Sequence, residues 1–407
     1  MSIWARSFIA LAVLASFFPG RAIYYLLYAL LGAYALHRVS VTRALRGLAI
    51  RRGEREIRLF PGERARVTLL VSNRSRAPLP WLALRDRTGE GLFAVGEREF
   101  ALALPPRGEA QLDYEIEAIS RGRRTLGPVE IETGDPFGIE RFQAEGRDRT
   151  EVLVYPRVHP IESLGIPAEA HGGAIRAGRF ADPSRVAGVR AYTAGDSIRH
   201  VHWRATAHTG QIQVKKFEPV GTVDLAVVLD LAYAHYDSWS VSSMSELAVE
   251  TAASLISFAA RRRQSFALYA HGDVAAGGTG QGDGAASGAR AGTPFFQTGF
   301  SKGEEHLETC LEALALVQLT NRPFDGAALV DAIASSLRRE TTVIWIGPQL
   351  GDEAAAGLAH LGRRGFRTLF VHVTTGGGPD RLPPGIGYAR VTYPGDVPGI
   401  GSPRNPS

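Results

Sequence analysis

The spacing of apolar positions changes character along this 407-residue chain, and each change marks a different kind of element. Residues 7–18 (SFIALAVLASFF) and 22–36 (AIYYLLYALLGAYAL) are nearly continuous apolar runs, separated by Pro19, Gly20 and Arg21. Each is short of the ~20 residues that span a hydrocarbon core, but with their flanks they predict a tight transmembrane helical hairpin. Beyond residue 55 the period becomes two. Val67 to Val71 and Leu112 to Ala118 alternate apolar with polar, as half-buried strands do. Turn signals at Pro61-Gly62, Asn73 to Pro80, Pro105 to Gly108 and Arg121-Gly122 punctuate them, so 55–157 reads as a β-sandwich with Trp81 in its core. Asp135 to Gly138 reads as a tight turn.

From residue 223 the pattern alternates strand and helix. Leu225 to Leu229 is a continuous apolar run, as expected of a central strand buried on both faces. Ser245 is the expected cap of a helix reaching Arg262, and Asp325 opens another with Leu329, Val330, Ile333 and Leu337 on one face. Phe266 to Tyr269, Thr342 to Ile346 and Thr368 to Val373 read as further strands, with a helix from Asp352 before the last. This alternation predicts a doubly wound sheet whose ligand site lies at the carboxyl ends of its strands.

The expected organisation is therefore an anchor at 1–37, a basic linker at 38–54, the sandwich at 55–157 and a connecting segment at 158–222. An α/β domain at 223–375 and a Gly/Pro-rich tail at 376–407 complete it, with Tyr388 to Val391 as a last strand. The eight glycines of 272–295 mark a flexible insert, not a phosphate loop.

Charge sharpens this picture only locally. The formal net charge is +5, and residues 38–58 alone carry seven Arg against Glu54 and Glu56. Positive charge beside a span marks its cytoplasmic side, so the expected location is a cell membrane with the soluble domains facing the cytoplasm. The remainder is close to neutral and holds no basic–aromatic module, which argues against nucleic acid as a partner. Cys310 is the only cysteine, so no intrachain disulfide and no cysteine metal cluster can form. Its neighbours Leu307, Leu311 and Leu314 make it an expected core thiol.

The most distinctive stretch is 188–218, GVRAYTAGDSIRHVHWRATAHTGQIQVKKFE. It gathers Arg190, Tyr192, Gly195, Asp196, Arg199, Trp203 and Arg204 around a turn, with a strand expected at 211–217. These residues form either a buried joint between domains or an exposed partner site; the buried joint is the expectation, with Trp203 as its anchor. His200 and His202 would share a face if they lay in a strand, which makes zinc conceivable. With no cysteine nearby and no evident third ligand, no metal and no cofactor is expected.

The R-x-Y-x-x-G-D-x-x-R-x-x-x-W spacing of this stretch resembles the signature of the domain of unknown function 58 family, a bacterial family. The order of segments resembles it too, including RGRRTLGPVEIETGDPFGI at 121–139. The resemblance implies a von Willebrand factor A-like C-terminal domain, a MoxR-type AAA+ ATPase as protein partner, and no established enzymatic activity. A domains are similar to one another in holding a divalent cation through an Asp-x-Ser-x-Ser loop. Here the corresponding residues are Asp230, Ala232 and Ala234, with Gly347 and Pro348 where another aspartate is usual. The expected site is thus a degenerate remnant, since hard cations require oxygen ligands.

The fold class expected is multidomain: a transmembrane helical hairpin, a β-sandwich and a doubly wound α/β von Willebrand factor A-like domain. The function expected is a membrane-anchored, non-enzymatic scaffold or adaptor working through protein–protein contacts. A cation-dependent ligand-binding receptor and an unrecognised hydrolase are the alternatives. No G-x-S-x-G elbow, H-E-x-x-H helix or phosphate loop is present to support catalysis.

Overall fold

The computed structural model describes residues 21–134, 141–162, 164, 181–193, 198–219, 224–274, 295–323, 325–338, 341–379 and 382–400, together with Ile9 and Val13. The expected turn at 135–138 and most of the 272–295 insert lie outside these residues. The chain divides into two compact units, 1–156 and 157–407.

The first unit opens with helix α1 (Arg21–Gly47), followed by ten strands: β1 (Leu48–Arg52), β2 (Glu56–Leu59), β3 (Arg64–Asn73), β4 (Leu79–Thr88), β5 (Leu92–Val95), β6 (Glu99–Leu104), β7 (Glu109–Ala118), β8 (Gly122–Gly134), β9 (Arg141–Glu145) and β10 (Thr150–Val154). They form a four-stranded sheet, β1-β3-β7-β5, and a second sheet in the order β2-β10-β8-β4-β6, with β9 also on β8. Strand β2 pairs in parallel with β10, and the other pairings are antiparallel. The alternation read in the sequence is the alternation of burial. Val67, Leu69 and Val71 of β3 meet Tyr114, Ile116 and Ala118 of β7 in the same core as Leu82 and Leu84 of β4 and Val152 of β10. This is the expected sandwich. Trp81 is half-buried rather than central to it.

A buried polar cluster crosses this core. Arg52 places Nη2 2.7 Å from Asp86 Oδ1, and the Tyr114 hydroxyl donates to Asp86 Oδ2 at 2.5 Å. Burial, reinforced by the Asp86 carboxylate, pushes the Tyr114 hydroxyl well above its ordinary pKa.

Two parts of the expected fold class are corrected. Among the described residues no helix is long and apolar enough to cross a membrane. The second apolar run does not stop at Leu36 but continues as α1 to Gly47, taking in His37, Arg38, Arg43 and Arg46. Those charges dilute the apolar stretch, and the expected basic linker is helix up to Gly47 and then strand β1 up to Arg52. Of the first run, only Ile9 and Val13 lie within the described residues.

The second correction concerns residues 157–407. After the ribbon β11 (Ala181–Ala191) and β12 (Gln213–Pro219), with helix α2 (Trp203–Thr209) between them, comes a six-stranded sheet. Its strands are β13 (Leu225–Asp230), β14 (Phe266–His271), β16 (Phe296–Gln297), β18 (Thr342–Gly347), β19 (Arg367–Val373) and β20 (Ile386–Val391), in the order β16-β14-β13-β18-β19-β20. Helices α3 (Val241–Arg261), α4 (Glu304–Leu316), α5 (Gly326–Ser336) and α6 (Asp352–Arg363) accompany it. This is neither the clear doubly wound sheet that the alternation predicted nor a clear case of the A-like domain that the resemblance implied. Strand β16 runs antiparallel to β14. Strands β15 (Asp273–Val274) and β17 (Val317–Gln318) form a separate ribbon. Strand β19 passes to β20 without a helix among the described residues, in a segment that Gly376 to Gly378, Pro383 and Pro384 keep from helical geometry. Among the described residues, strands in several sheets dominate.

Helix α3 begins at Val241 after Ser240, not at Ser245, which is buried inside it. The Asp325 cap is as expected, its Oδ1 accepting from the Ala328 N–H at 2.8 Å. Trp345, Tyr269 and Phe370 lie in the core beneath α5 and α6. Cys310 is fully buried on α4, and burial pushes its thiol up to about 12. That leaves it a core side chain, not a nucleophile.

Candidate functional site

The described residues of the 188–218 stretch form a small module on the β11–β12 ribbon. Arg190 pairs in register with Val214, and the Tyr192 N–H donates to the Ile212 carbonyl at 2.9 Å. A short turn, Ile198–His200, then leads to a bridge between Val201 and Val214, both buried. His202 caps α2, its Nδ1 accepting from the Ala205 N–H at 3.1 Å, while Gly210 ends the helix at φ 70° in the left-handed region that favours glycine. His200 and His202 therefore do not share a strand face, and among the described residues no three His, Cys, Asp or Glu side chains are placed to hold a metal.

Arg190, Tyr192, Arg199, Trp203 and Arg204 are thus brought into one module, whereas Gly195 and Asp196 lie outside the described residues. The module is not built around a buried tryptophan. Trp203 is 68% exposed and Ile198 70% exposed, with Val189, Tyr192 and Ile212 also at the surface. The expectation of Trp203 as a buried anchor is corrected: it opens a two-turn helix too short to cover it. Arg190 Nη1 folds back on the Ala191 carbonyl and the Thr193 hydroxyl. Arg199 and Arg204 are exposed and make no ion pair among the described residues.

A second cluster lies at the carboxyl end of β13. Asp230 is fully buried. Its Oδ1 accepts from the Ala232 N–H at 2.9 Å, its Oδ2 lies 2.6 Å from His235 Nδ1, and its carbonyl accepts from the Tyr236 hydroxyl at 2.8 Å. His271, which closes β14, sits in parallel register with Asp230, its Nδ1 3.9 Å from Oδ1. The two imidazoles respond in opposite directions. The hydrogen bond to Asp230 raises the His235 pKa against the effect of burial, whereas burial lowers that of His271 despite Asp230 and the Pro323 carbonyl. On the other flank, a Cβ added to Gly347 would stand 3.1 Å from Asp230 Cβ. Both carboxylate oxygens are thus already engaged by the protein, and the neighbouring strand ends in a residue with no side chain to contribute.

Sequence reasoning found Asp230 but not His235 or His271. The available signal was that Asp230 and His271 each terminate a continuous apolar run, which in a parallel pair sets them side by side.

Residues 188–287 match the family described as "Protein of unknown function DUF58". The chain is also similar to the "Uncharacterized protein YeaD" of Bacillus subtilis (strain 168), at 24% identity over 222 residues. That match covers 53% of this chain and 56% of the relative, so the chain spans little more than half the length of the curated relative it matches. Among solved structures, native alpha-2-macroglobulin from Escherichia coli is similar over 30% of this chain and 20% of that one, at 18% identity and a TM-score of 0.24. The CARDB domain of the PF1109 protein from Pyrococcus furiosus, solved in complex with di-metal ions, is similar over 26% of this chain and 89% of its own. It shows 14% identity and a TM-score of 0.19. At these scores neither structure bears on function.

Proposed function

We propose that this protein is a non-enzymatic scaffold or adaptor that engages a protein partner through the exposed face of the β11–β12 module. The observation that carries this reading is the exposure of Trp203 and Ile198 beside the cationic Arg199 and Arg204. Tryptophan and arginine are the side chains most often found as binding hot spots, because each contributes a large contact area together with a directional polar or cationic group. A monomeric surface rarely leaves such residues clustered without use. The partner that the family resemblance implies, and which we adopt for the test, is a MoxR-type AAA+ ATPase.

The test is binding between the purified full chain and the MoxR-type ATPase of its own source, measured by biolayer interferometry. Trp203→Ala and Arg199→Ala are expected to weaken it by tenfold or more each, roughly the 1.4 kcal/mol or greater cost of truncating a hot spot. Circular dichroism should show both variants folded. Wild-type affinity in both variants, or no binding by the wild type, would overturn the assignment.

A further inference from the structure

The arginines that the sequence concentrates around residue 50 acquire a different meaning once the sandwich is folded. A cleft of about 970 Å³ opens at one edge of the sandwich, between the last turn of α1, strand β1 and the segment that joins β9 to β10. Strand β1 is an edge strand of its sheet, so no neighbouring strand closes this side. Six arginines line the cleft: Arg46, Arg51, Arg52, Arg55, Arg147 and Arg149. They come from segments about a hundred residues apart in sequence, brought together when β10 pairs in parallel with β2.

Three carboxylates also line the cleft, and two are committed elsewhere. Asp148 Oδ2 accepts the Arg52 backbone N–H at 2.8 Å, and Glu145 lies 3.7 Å from Arg87 Nη1. Glu54 is the third, so the cleft carries an excess of positive charge. Arg46, Arg51, Arg55, Arg147 and Arg149 are exposed and make no ion pair among the described residues.

Arg52 is different. Its side chain is only 2% exposed, and its Nη2 is held by Asp86. Its Nε and Nη1 are buried with no hydrogen-bond partner. A buried guanidinium with two unsatisfied donors is costly, and it adds a fixed positive charge beside the exposed arginines. Arg52 also lines a smaller cavity of about 50 Å³ with Arg66 and Thr68, so its surroundings are not tightly filled.

We infer that this cleft is a binding site for a phosphate-bearing ligand. The donor set decides the chemistry: planar guanidinium groups match tetrahedral phosphate oxygens with paired hydrogen bonds. The number of arginines exceeds what a single carboxylate would need. The volume falls at the upper end of the range of small-molecule sites. A soluble phosphate compound and a phospholipid headgroup present the same group, and the experiment separates them. The site is independent of the β11–β12 surface, so either assignment stands or falls without the other.

Two probes are applied to the full chain. Inorganic pyrophosphate is titrated calorimetrically, with chloride at equal ionic strength as control. Phosphatidylcholine vesicles with and without phosphatidylglycerol are tested by co-sedimentation. The variant carries Arg147→Ser and Arg149→Ser, two exposed positions whose loss leaves the core untouched. Binding of pyrophosphate that the variant weakens roughly tenfold or more assigns a soluble phosphate ligand. Binding to phosphatidylglycerol vesicles alone, weakened in the same way, assigns a headgroup. Absence of binding to both probes, or binding that the variant retains at full strength, overturns the site.

Discussion

His235 Nδ1 lies 2.6 Å from Oδ2 of the fully buried Asp230, so the carboxylate at the end of the central strand β13 is held by an imidazole from the same chain. The bond favours protonated His235 and raises its pKa. A group with a raised folded pKa contributes stability that is complete below its unfolded value, ~6.5, and is lost as pH rises through the folded value. His235→Gln is therefore expected to lower the melting temperature most at about pH 5.5 and progressively less toward about pH 8. A difference that is flat across this range would show that the pair does not titrate with folding.

His271 should behave in the opposite sense. Burial lowers its pKa, so its neutral form is the folded one. That stabilisation is present above ~6.5 and is lost as pH falls through the lowered folded value. In His271→Gln the decline in melting temperature below about pH 6.5 should be shallower than in the wild type. An equal slope in both proteins would remove His271 as its cause.

Magnesium is expected to leave the protein's stability unchanged. Asp230 offers its oxygens to Ala232 and His235, and Gly347 and Pro348 add no side-chain oxygen. A cation bound with a dissociation constant equal to its free concentration would add about 0.4 kcal/mol, and a weaker one less. The check is thermal unfolding with and without millimolar magnesium. A rise of many degrees that vanishes in Asp230→Ala would restore a cation site and with it a receptor reading.

Trp203→Ala should change the stability of the full chain by less than about 0.5 kcal/mol, as substitutions at exposed sites do. At 68% exposure the indole has little contact to lose. Urea unfolding would reveal a loss of several kcal/mol if the ring were in fact packed.

The sandwich should be far more sensitive at its buried ion pair. Arg52→Met leaves Asp86 buried without its cation and is expected to cost ~3–5 kcal/mol. Tyr114→Phe removes one donor to the same carboxylate and should cost ~1–3 kcal/mol. Both are measured by urea unfolding. A smaller loss from Arg52→Met than from Tyr114→Phe would show that the hydroxyl, not the guanidinium, holds Asp86.

Strands with a strong period were legible in the sequence, because burial alone decides them. Val67 to Val71, Leu112 to Ala118 and Leu225 to Leu229 lie in β3, β7 and β13. The Asp325 cap was legible because its side chain acts locally. The start of α3 was not, since Ser240, Ser242, Ser243 and Ser245 are all acceptable caps and only packing chooses among them. The extent of α1 was hidden for a related reason: Arg38, Arg43 and Arg46 are good helix formers that read equally well as a linker. Of the sites, the motif residues and Asp230 could be named from spacing. The exposure of Trp203, the approach of His235 to Asp230 and the arginine cleft could not, because each depends on a chain path that no local pattern records.

The parallel pairing of β2 with β10 also has a consequence for how the chain is made. Glu56 to Leu59 emerge from the ribosome long before Thr150 to Val154, yet they bond directly to them. Domains fold from the N-terminus during synthesis at ~5–20 residues per second. The stretch from Leu59 to Thr150 must therefore be synthesised with β2 still lacking its partner strand, a wait of several seconds or more. During that wait the apolar face of β2, Ile57 and Leu59, has no complete sheet to join, and the nascent chain is most open to chaperones and to misassembly until Val154 closes the edge.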